Sequence, residues 1–497
     1  MFNSSTHHAM CSTRYRQNLG VRYAYAKHKD ATDIAILTST HKTSLRFRKA
    51  LFLLSSLFLL NGCISTTSIS NVPKSPLNNS DYYGMSAFSE RFIGNENSIT
   101  LAFSGGGMRA AALSYGVLKA LESSPLPAGL ATNSDQVTLL DEVDTISAVS
   151  GGSFTAAYYG LFGKKIFEDY EAAFLRRNVE TQLYKILANP LNWFSRKGRT
   201  DRAIDIYERD SFGGAVFRDF IKPNSPFIII NASDLAYGSR FAFIQEYFDL
   251  LCSDISDFSV AKAVAASAAV PVLVSPVTLE NYDGCVNEAE TYIRATAAKS
   301  RNDPELELTS KSLMTFADKG SKKYVHLVDG GITDNLGLRT IVDLVEISSS
   351  ARPLIRSLKL RPTERSVIIS VDASTKPTTL IGENSRAPSI STVISATSSA
   401  QLHHYNVTTI ALTRAKQKEW AKEVSNPEHQ VETYFIQLDL TGIKDRKVRH
   451  RLNQITTSMS LDNAEVDSLI NAGRSLLLNN LEFQRLMRDL AEEARQQ

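Results

Sequence analysis

The sequence lacks most of the features that would assign it to a class of protein at sight. Its 55 Lys and Arg nearly balance its 52 Asp and Glu. The resulting net charge of +3 argues against dedicated nucleic-acid binding, for which a concentrated basic patch is expected. No internal repeat is visible, and the apolar run Ala50–Leu60 is shorter than the roughly 20 residues that a membrane-spanning helix needs. With 497 residues, 43% of them hydrophobic and 22% charged, the chain has an ordinary globular composition and room for one large α/β domain with appendages.

The first informative segment is a glycine loop between a strand and a helix. Ser98–Phe103 is an apolar, β-prone run, and Ala110–Leu118 has the pattern of a helix. The glycines Gly105, Gly106 and Gly107 allow positive φ angles and bring bare N–H groups near a ligand, beside the positive end of the helix dipole. The loop lacks the Gly-Lys-Ser/Thr ending of a P-loop and the Gly-x-Gly-x-x-Gly spacing of a dinucleotide fold. It is therefore either an anion-binding loop or a structural turn.

A second strand-to-helix turn carries a serine. Val143–Val149 alternates like the end of a strand, Ser153–Tyr159 begins a helix, and Ser150 stands at the corner between them. A serine on such a turn, flanked by small residues, presents its hydroxyl outward as a nucleophile. The usual pattern is Gly-x-Ser-x-Gly, and here Ala148 replaces the first glycine with another small residue. The alternative is an ordinary serine helix cap.

A third strand ends in an aspartate. Tyr324–Val328 has the pattern of a strand, and Asp329 follows it, with Gly330 and Gly331 after it. Carboxylates at strand ends of α/β folds point into the cleft where ligands bind. Asp-Gly pairs are also common turn formers, so a plain turn is the alternative.

In this order, the three segments resemble the patatin-like phospholipase family, whose pattern is a Gly-Gly-Gly-x-Arg loop, a Gly-x-Ser-x-Gly elbow and an Asp-Gly-Gly/Ala segment. Further stretches between the serine and the aspartate look like parts of the same family: Asn231–Leu235, Arg240–Phe243 and Ala265–Pro271. The resemblance extends from Asn97 to Ser374. It implies a three-layer α/β/α fold with a mainly parallel central sheet.

The resemblance also implies a chemistry and the residues that perform it. Ser150 would attack an ester carbonyl, and Asp329 would be the general base that takes its proton, with its pKa raised by apolar surroundings. The backbone N–H groups of Gly105–Gly107 would hold the oxyanion, with Arg109 helping to order the loop or its field. The implied function is a serine acyl hydrolase that cleaves phospholipids or other acyl esters through an acyl-enzyme. No metal or cofactor is expected.

Two other functions stay open. A Ser-His-Asp esterase or lipase needs a histidine as base, and the candidates are His326, His403 and His404. His326 lies three residues before Asp329 on a predicted strand and should point to the opposite face. His403 and His404 are adjacent on a predicted helix and therefore do not share one helix face. A metal site at this pair would need further ligands. A catalytically silent surface lipoprotein could use the same cleft to bind lipid, although a binding module does not need the glycine loop, serine and aspartate together.

The N-terminal region resembles a bacterial lipoprotein signal. Arg46–Lys49 is a charged segment, Ala50–Leu60 is an apolar one, and Cys63 completes a Leu-x-Gly-Cys box. We therefore expect residues 46–63 to be a signal, with Cys63 lipidated and the protein anchored to a membrane of a bacterial cell envelope, facing the periplasm or the exterior. Residues 1–45 would then be an extension, either an over-long start or an unusual leader. A buried apolar helix is the alternative.

The rest of the chain completes the domain plan. Residues 64–95 are rich in Ser, Asn and Pro, like a tether, and residues 96–385 should form the catalytic domain. Arg294–Lys323 is polar and has the pattern of a long surface loop or an insertion, and residues 386–497 are expected to be mostly helical and to pack on the domain. The expected partners are an acyl-lipid substrate and a membrane surface. The oligomeric state is left open.

Export to an oxidising compartment would allow the cysteines of the mature domain to form a disulfide. Cys11 and Cys63 precede the expected mature domain, which leaves Cys252 and Cys285 as an even pair. In an oxidising periplasm such a pair forms a disulfide readily. We expect that bond here.

Overall fold

The computed structural model describes residues 69–74, 83–88, 97–127, 137–188, 198–270, 274–285, 288–300, 303–348, 351–358, 363–375, 385 and 387–496. The predicted extension 1–45 and the predicted signal 46–63, with Cys63, lie outside these residues. Among the residues described, no helix combines the length and the apolar character needed to cross a membrane.

Ten β-strands lie within the described residues. They are β1 (Val72–Pro73), β2 (Asn97–Phe103), β3 (Val143–Val149), β4 (Phe227–Asp234), β5 (Ser239–Ala242), β6 (Ser253–Asp254), β7 (Val277–Glu280), β8 (Tyr324–Asp329), β9 (Arg365–Asp372) and β10 (Glu432–Asp439).

Eight of these strands form one sheet in the order β10-β9-β2-β3-β4-β8-β7, with β5 also paired to β4. The five strands from β10 to β4 are parallel to one another, whereas β8 and β5 run antiparallel to β4, and β7 runs antiparallel to β8. β1 and β6 form a separate two-stranded antiparallel ladder. The parallel strands are nearly continuous apolar runs, as expected of strands covered on both faces.

The α-helices of the described residues are α1 (Met108–Glu122), α2 (Gly151–Phe162), α3 (Ile166–Tyr170), α4 (Val179–Ala188), α5 (Arg199–Tyr207), α6 (Gln245–Leu250), α7 (Val260–Ser267), α8 (Glu288–Lys299), α9 (Pro304–Met314), α10 (Gly331–Asp334), α11 (Leu338–Ile347), α12 (Ala351–Ser357), α13 (Ile390–Val424), α14 (Arg446–Gln454), α15 (Asn463–Leu478) and α16 (Leu481–Glu493). Shorter 3-10 or π segments lie at Met85–Phe88, Gly163–Lys165, Glu171–Leu175, Glu208–Phe212, Phe217–Phe220, Thr315–Ala317 and Leu440–Gly442.

Helices cover both faces of the sheet. Successive side chains of a strand point to opposite faces, so neighbouring residues of β2 join different apolar cores. Leu101 and Phe103 of β2 join the larger apolar core, which includes side chains of α1, α2 and α15. Ala102, between them, joins a second core with Ile368 of β9 and Leu338 of α11. The predicted three-layer α/β/α fold with a mainly parallel sheet is therefore confirmed.

Part of the C-terminal region is built into the catalytic domain. β10 supplies the edge strand of the sheet next to β9. The backbones of α1 and α15 are in contact, since a β-carbon on Gly116 would lie 2.2 Å from the carbonyl oxygen of Ile470, and one on Gly473 would lie 2.2 Å from that of Leu113. The helical pattern of residues 386–497 is present, but the sequence analysis did not foresee this strand.

Two parts of the predicted tether 64–95 are bound to the domain. The side-chain oxygen of Asn71 accepts a hydrogen bond from the backbone N–H of Glu280 at 2.8 Å, and β1 pairs with β6. Tyr83 is fully buried, and its hydroxyl donates to the carbonyl of Ile228 at 2.7 Å. The expectation of a free tether is wrong for these two segments, because a polar composition does not show which side chains find partners across the fold.

The interpretation of Arg294–Lys323 as a surface loop is also wrong. Its first part continues helix α8, and α9 follows within the same stretch. Asp303 caps α9 by accepting the backbone N–H of Leu306 at 3.1 Å, and Pro304 occupies the first turn. Asp followed by Pro is a helix-start signal that the polar composition of this stretch obscured.

A disulfide joins Cys252, just before β6, to Cys285 across a sequence separation of 33 residues. The carbonyl of Cys252 also accepts the backbone N–H of Lys74 at 2.8 Å. The bond therefore lies where the N-terminal strand β1 meets the domain.

Replacing both cysteines, as Cys252→Ser with Cys285→Ser, should lower the free energy of unfolding by about 2–4 kcal/mol, because the unfolded chain regains the freedom that the cross-link removes. Urea unfolding of the two proteins measures this difference. A reducing agent should reproduce the loss in the wild type and leave the double variant unchanged. Free thiols at both Cys252 and Cys285 in the peptide map of the non-reduced wild type would contradict the bond.

Candidate active site

Ser150 lies where β3 ends and α2 begins. Its backbone has a φ of 49° and a ψ of −121°. Among the non-glycine residues described, only Asn224 and Cys252 also have a positive φ. Such a conformation costs about 1–3 kcal/mol and persists only where the surrounding structure imposes it.

The hydroxyl of Ser267, the last residue of α7, holds this turn. It accepts the backbone N–H of Ser150 at 2.8 Å and donates to the carbonyl oxygen of Asn231 in β4 at 2.6 Å. The side-chain amide of Asn231 in turn donates to the carbonyl of Ala148 at 3.1 Å. One buried hydrogen-bonded chain therefore links the turn at Ser150 to α7 and β4.

The glycine loop and the turn at Ser150 are in contact through their backbones. A β-carbon on Gly151 would lie 1.9 Å from the carbonyl oxygen of Gly107, and one on Gly152 would lie 2.7 Å from that of Ser104. Glycine is required at both positions because any side chain would collide with the loop. As a result, the N-termini of α1 and α2, each with a partial positive charge, meet next to Ser150.

The backbone N–H groups of the glycine loop have different partners. Gly105 donates to the carbonyl oxygen of Asn335 at 2.9 Å, so its N–H is occupied and the expectation that it binds an oxyanion is wrong for this conformation. Gly106 and Gly107 have φ angles of 140° and 60°. Their N–H groups have no acceptor among the residues that the structure describes. They are therefore the two loop donors available to an anion.

Arg109 is buried beneath the loop, with 3% of its surface exposed. Its Nε donates to the carbonyl of Ala373 at 2.7 Å, its Nη1 donates to the carbonyl of Ile455, and its Nη2 lies 3.3 Å from the hydroxyl of Thr457. Burial lowers the pKa of Arg109 to about 10. The guanidinium is thus engaged in fixing the loop against the C-terminal region, and it does not serve as an oxyanion donor.

Asp329 lies directly beside Ser150 at the end of β8. Its carboxylate accepts a hydrogen bond from the backbone N–H of Gly331 at 2.8 Å. Its own N–H donates to the carbonyl of Ala269 at 3.0 Å. Burial raises the pKa of Asp329 to about 6, and the Gly331 N–H and the nearby Ser150 side chain oppose that rise. A carboxylate with this pKa is ionised at neutral pH and basic enough to take a proton.

The three candidate histidines lie in different places. His326 is exposed, and its Nδ1 lies 3.0 Å from the hydroxyl of Thr278 on the neighbouring strand. His403, on α13, is exposed and lines the same cavity as Ser150. His404 is exposed and is not part of the cavity wall. Only His403 therefore remains as a possible histidine partner of the serine.

The cavity around Ser150 has a volume of about 680 Å³ and two kinds of wall. Val270 and Ile332 form an apolar side, with 36% and 53% of their surfaces exposed. The lining also contains the apolar Leu402 and the polar side chains of Asn335, Ser374, Thr375, Ser399, Gln401, His403, Tyr405 and Thr457. Such a cavity suits a ligand with one apolar and one polar part.

Two residues that build the site were not singled out from the sequence. Ser267 lies in the small-residue stretch Ala265–Pro271, and Asn335 follows the Asp-Gly-Gly segment by four residues. Both lie inside or just after segments that carry the family resemblance, which is the only signal that could have pointed to them. Their roles depend on contacts across the fold.

Within the described ranges, no cluster of three or more His, Cys, Asp or Glu side chains could hold a metal ion.

Comparisons with known proteins bear on the family. Residues 101–342 match the family model described as patatin-like phospholipase. A search of curated protein sequences finds no match. Among solved structures, human GIVD cytosolic phospholipase A2 is 11% identical with a TM-score of 0.43, and the match covers 88% of this chain and 67% of that one. The same human protein in complex with methyl gamma-linolenyl fluorophosphonate is 12% identical with a TM-score of 0.32, over 80% of this chain and 59% of that one.

The glycine loop, the serine turn and the aspartate all lie within the matched segment. Residues 101–342 of this chain therefore match the patatin-like phospholipase family over the segment that carries the candidate active site.

Proposed function

We propose that this protein is a serine acyl hydrolase that cleaves acyl esters of phospholipids or related lipids, with Ser150 as nucleophile and Asp329 as its base. The observation that carries the proposal is that the Ser150 side chain and the buried Asp329 carboxylate share one cavity and are close enough for the serine to lower the pKa of the carboxyl. Two N–H groups in the adjacent loop, those of Gly106 and Gly107, have no acceptor among the described residues. The family match supports lipid acyl hydrolysis as the class of reaction.

The reaction proceeds in two halves. In acylation, Ser150 Oγ attacks the ester carbonyl while its proton passes to Asp329, and the same proton then leaves with the departing alcohol. In deacylation, Asp329 takes a proton from the water that attacks the acyl-enzyme and returns it to Ser150 Oγ as the fatty acid leaves. In both halves the carbonyl oxygen becomes an oxyanion, which the N–H groups of Gly106 and Gly107 stabilise. Each such donor typically contributes about 3 kcal/mol to transition-state stabilisation.

The cavity favours an amphipathic ester over a small polar one. Val270 and Ile332 offer an apolar surface for an acyl chain, and the hydroxyl, amide and imidazole groups that also line the cavity offer partners for a polar headgroup. We further propose, from the sequence pattern at 46–63, that Cys63 is lipidated and holds the enzyme at a cell-envelope membrane, where such substrates are concentrated.

Two alternatives are less well supported. A Ser-His-Asp mechanism requires a histidine between the serine and the carboxylate, but Asp329 is itself close enough to Ser150 for the serine to lower its pKa. A non-catalytic lipid-binding protein would have no use for a strained serine turn, and the strain at Ser150 is retained at an energetic cost.

Substituting either member of the pair should abolish turnover while leaving the fold intact. For Ser150→Ala and Asp329→Asn, we expect hydrolysis of phospholipid vesicles and of p-nitrophenyl esters to fall by at least about a thousandfold. An alkyl fluorophosphonate should label wild-type Ser150, identified by peptide mapping, and should not label Ser150→Ala. Thermal melting controls for folding. No label and no turnover by the wild type across a broad lipid panel would favour the binding-protein alternative.

The pH dependence should report the raised pKa of Asp329. Because the carboxylate must be ionised to accept a proton, kcat/KM should fall as the pH drops through about 6 and should be level above pH 7. Initial rates on a p-nitrophenyl ester between pH 4.5 and 8.5 measure this limb. A midpoint near 4, the value of an ordinary aspartate, would show that the base is not buried.

Neither neighbouring histidine should be essential. His403→Ala and His404→Ala should each retain kcat within about threefold of the wild type, because a general base typically contributes 10²–10⁴-fold and Asp329 fills that role. His404 is the matched control, since it is exposed and stands outside the cavity wall. A hundredfold loss of kcat in His403→Ala alone would instead support the triad mechanism.

A further inference from the structure

Asn335 connects the glycine loop to the turn that carries Asp329. It directly follows α10, and only 5% of its surface is exposed. Its backbone carbonyl accepts the N–H of Gly105 at 2.9 Å, and its side-chain Nδ2 donates to the hydroxyl of Ser374 at 3.1 Å. One residue therefore touches both the loop before α1 and the segment after β9.

The side-chain oxygen of Asn335 lies close to both Ser150 and Asp329. A β-carbon on Gly105 would be 2.7 Å from Asn335 Oδ1 and 3.4 Å from Ser150 Cβ. A β-carbon on Gly331 would be 3.1 Å from Asn335 Oδ1 and 3.0 Å from Asp329 Oδ1. The oxygens of Asn335 and Asp329 are thus within about 6 Å of each other, the range in which two carboxylates would affect each other strongly.

The absence of side chains at Gly105 and Gly331 is what makes room for this amide. A methyl group at either position would meet Asn335 Oδ1 at a distance that ordinary carbon contacts rarely reach. The amide is polar without being charged, so it fits beside a carboxylate that must lose and regain a proton.

We propose that Asn335 is a positioning residue, which fixes the glycine loop against the Asp329 turn and must remain uncharged for Asp329 to act as base. This inference rests on the proposed acyl hydrolase function. Asn335 does not touch the reacting atoms. It positions the N–H donors of the loop, and because its side chain is neutral it does not oppose ionisation of Asp329.

Other ionisable groups near the base are accounted for. Asp334, the residue before Asn335, accepts the backbone N–H of Thr340. Asp372 accepts hydrogen bonds from the backbone N–H of Ser374 and the side-chain amide of Asn406. The remaining ionisable groups around the cavity are Arg109, His403 and Tyr405. None of these groups changes in the test below, so a shift can be assigned to residue 335.

The experiment compares full-length wild type with Asn335→Asp and Asn335→Ala. For each protein, kcat, KM and the rate of fluorophosphonate labelling of Ser150 are measured between pH 4.5 and 9. Asn479→Asp, on the surface after α15, is the matched control for an added carboxylate. Thermal melting establishes that each variant is folded.

In Asn335→Asp, we expect the acid limb of both profiles to move up by about one pH unit or more, because a second carboxylate opposes ionisation of Asp329. In Asn335→Ala, we expect kcat to fall at least about tenfold with KM within twofold and the acid limb unmoved, as for a misplaced transition-state donor. The control should match the wild type.

The proposal is overturned if folded Asn335→Asp keeps the wild-type acid limb, or if folded Asn335→Ala keeps kcat within twofold. Should Asn335→Asp fail to fold, the alanine variant decides alone. Absence of label on wild-type Ser150 at every pH would overturn the proposed function as well as this inference. Normal wild-type labelling with unaltered variants would overturn only the inference.

Discussion

Ser150 keeps its positive φ because hydrogen bonds and packing contacts from three separate parts of the chain fix the turn at the end of β3. Ser267 holds its N–H, Asn231 anchors Ser267, and the carbonyl of Gly107 packs against Gly151. If the turn relaxed, the serine would leave the aspartate, and the glycine loop would lose the surface on which it rests. The arrangement of nucleophile, base and loop donors therefore depends on one strained residue that its surroundings over-determine.

Burial shifts the pKa values of the two charged groups of the site, Asp329 and Arg109, in opposite directions. The same loss of water raises the pKa of Asp329 to about 6 and lowers that of Arg109 to about 10. For Asp329 the shift makes a stronger base that is still ionised at neutral pH. Arg109 stays charged, and its hydrogen bonds to backbone carbonyls offset part of the cost of burying it. The buried cation thus stabilises the loop that carries the oxyanion donors.

The catalytic half of the domain also depends on the end of the chain. The first turn of α1 donates hydrogen bonds to this region, from the Arg109 side chain to the carbonyl of Ile455 and from the N–H of Met108 to the carbonyl of Ser458 at 2.8 Å. α15 packs against α1 at backbone distance, and β10 completes the sheet. A sequence pattern that shows only amphipathic helices for residues 386–497 therefore understates their part in placing the site.

The sequence by itself determined the three strand ends, the glycine loop, the serine turn and the aspartate, and with them the fold class. Local patterns suffice there, because glycine, small residues and alternating apolar runs limit the backbone over a few positions. The tertiary structure alone decided which glycine N–H groups are free and that Arg109 fixes the loop. It also decided that Asn335 lies close to both Ser150 and Asp329, and that parts of the expected tether bind the domain. Those features join residues more than a hundred positions apart, such as Gly105 with Asn335 or Arg109 with Ile455, and no local pattern records which distant partner a buried polar group will find.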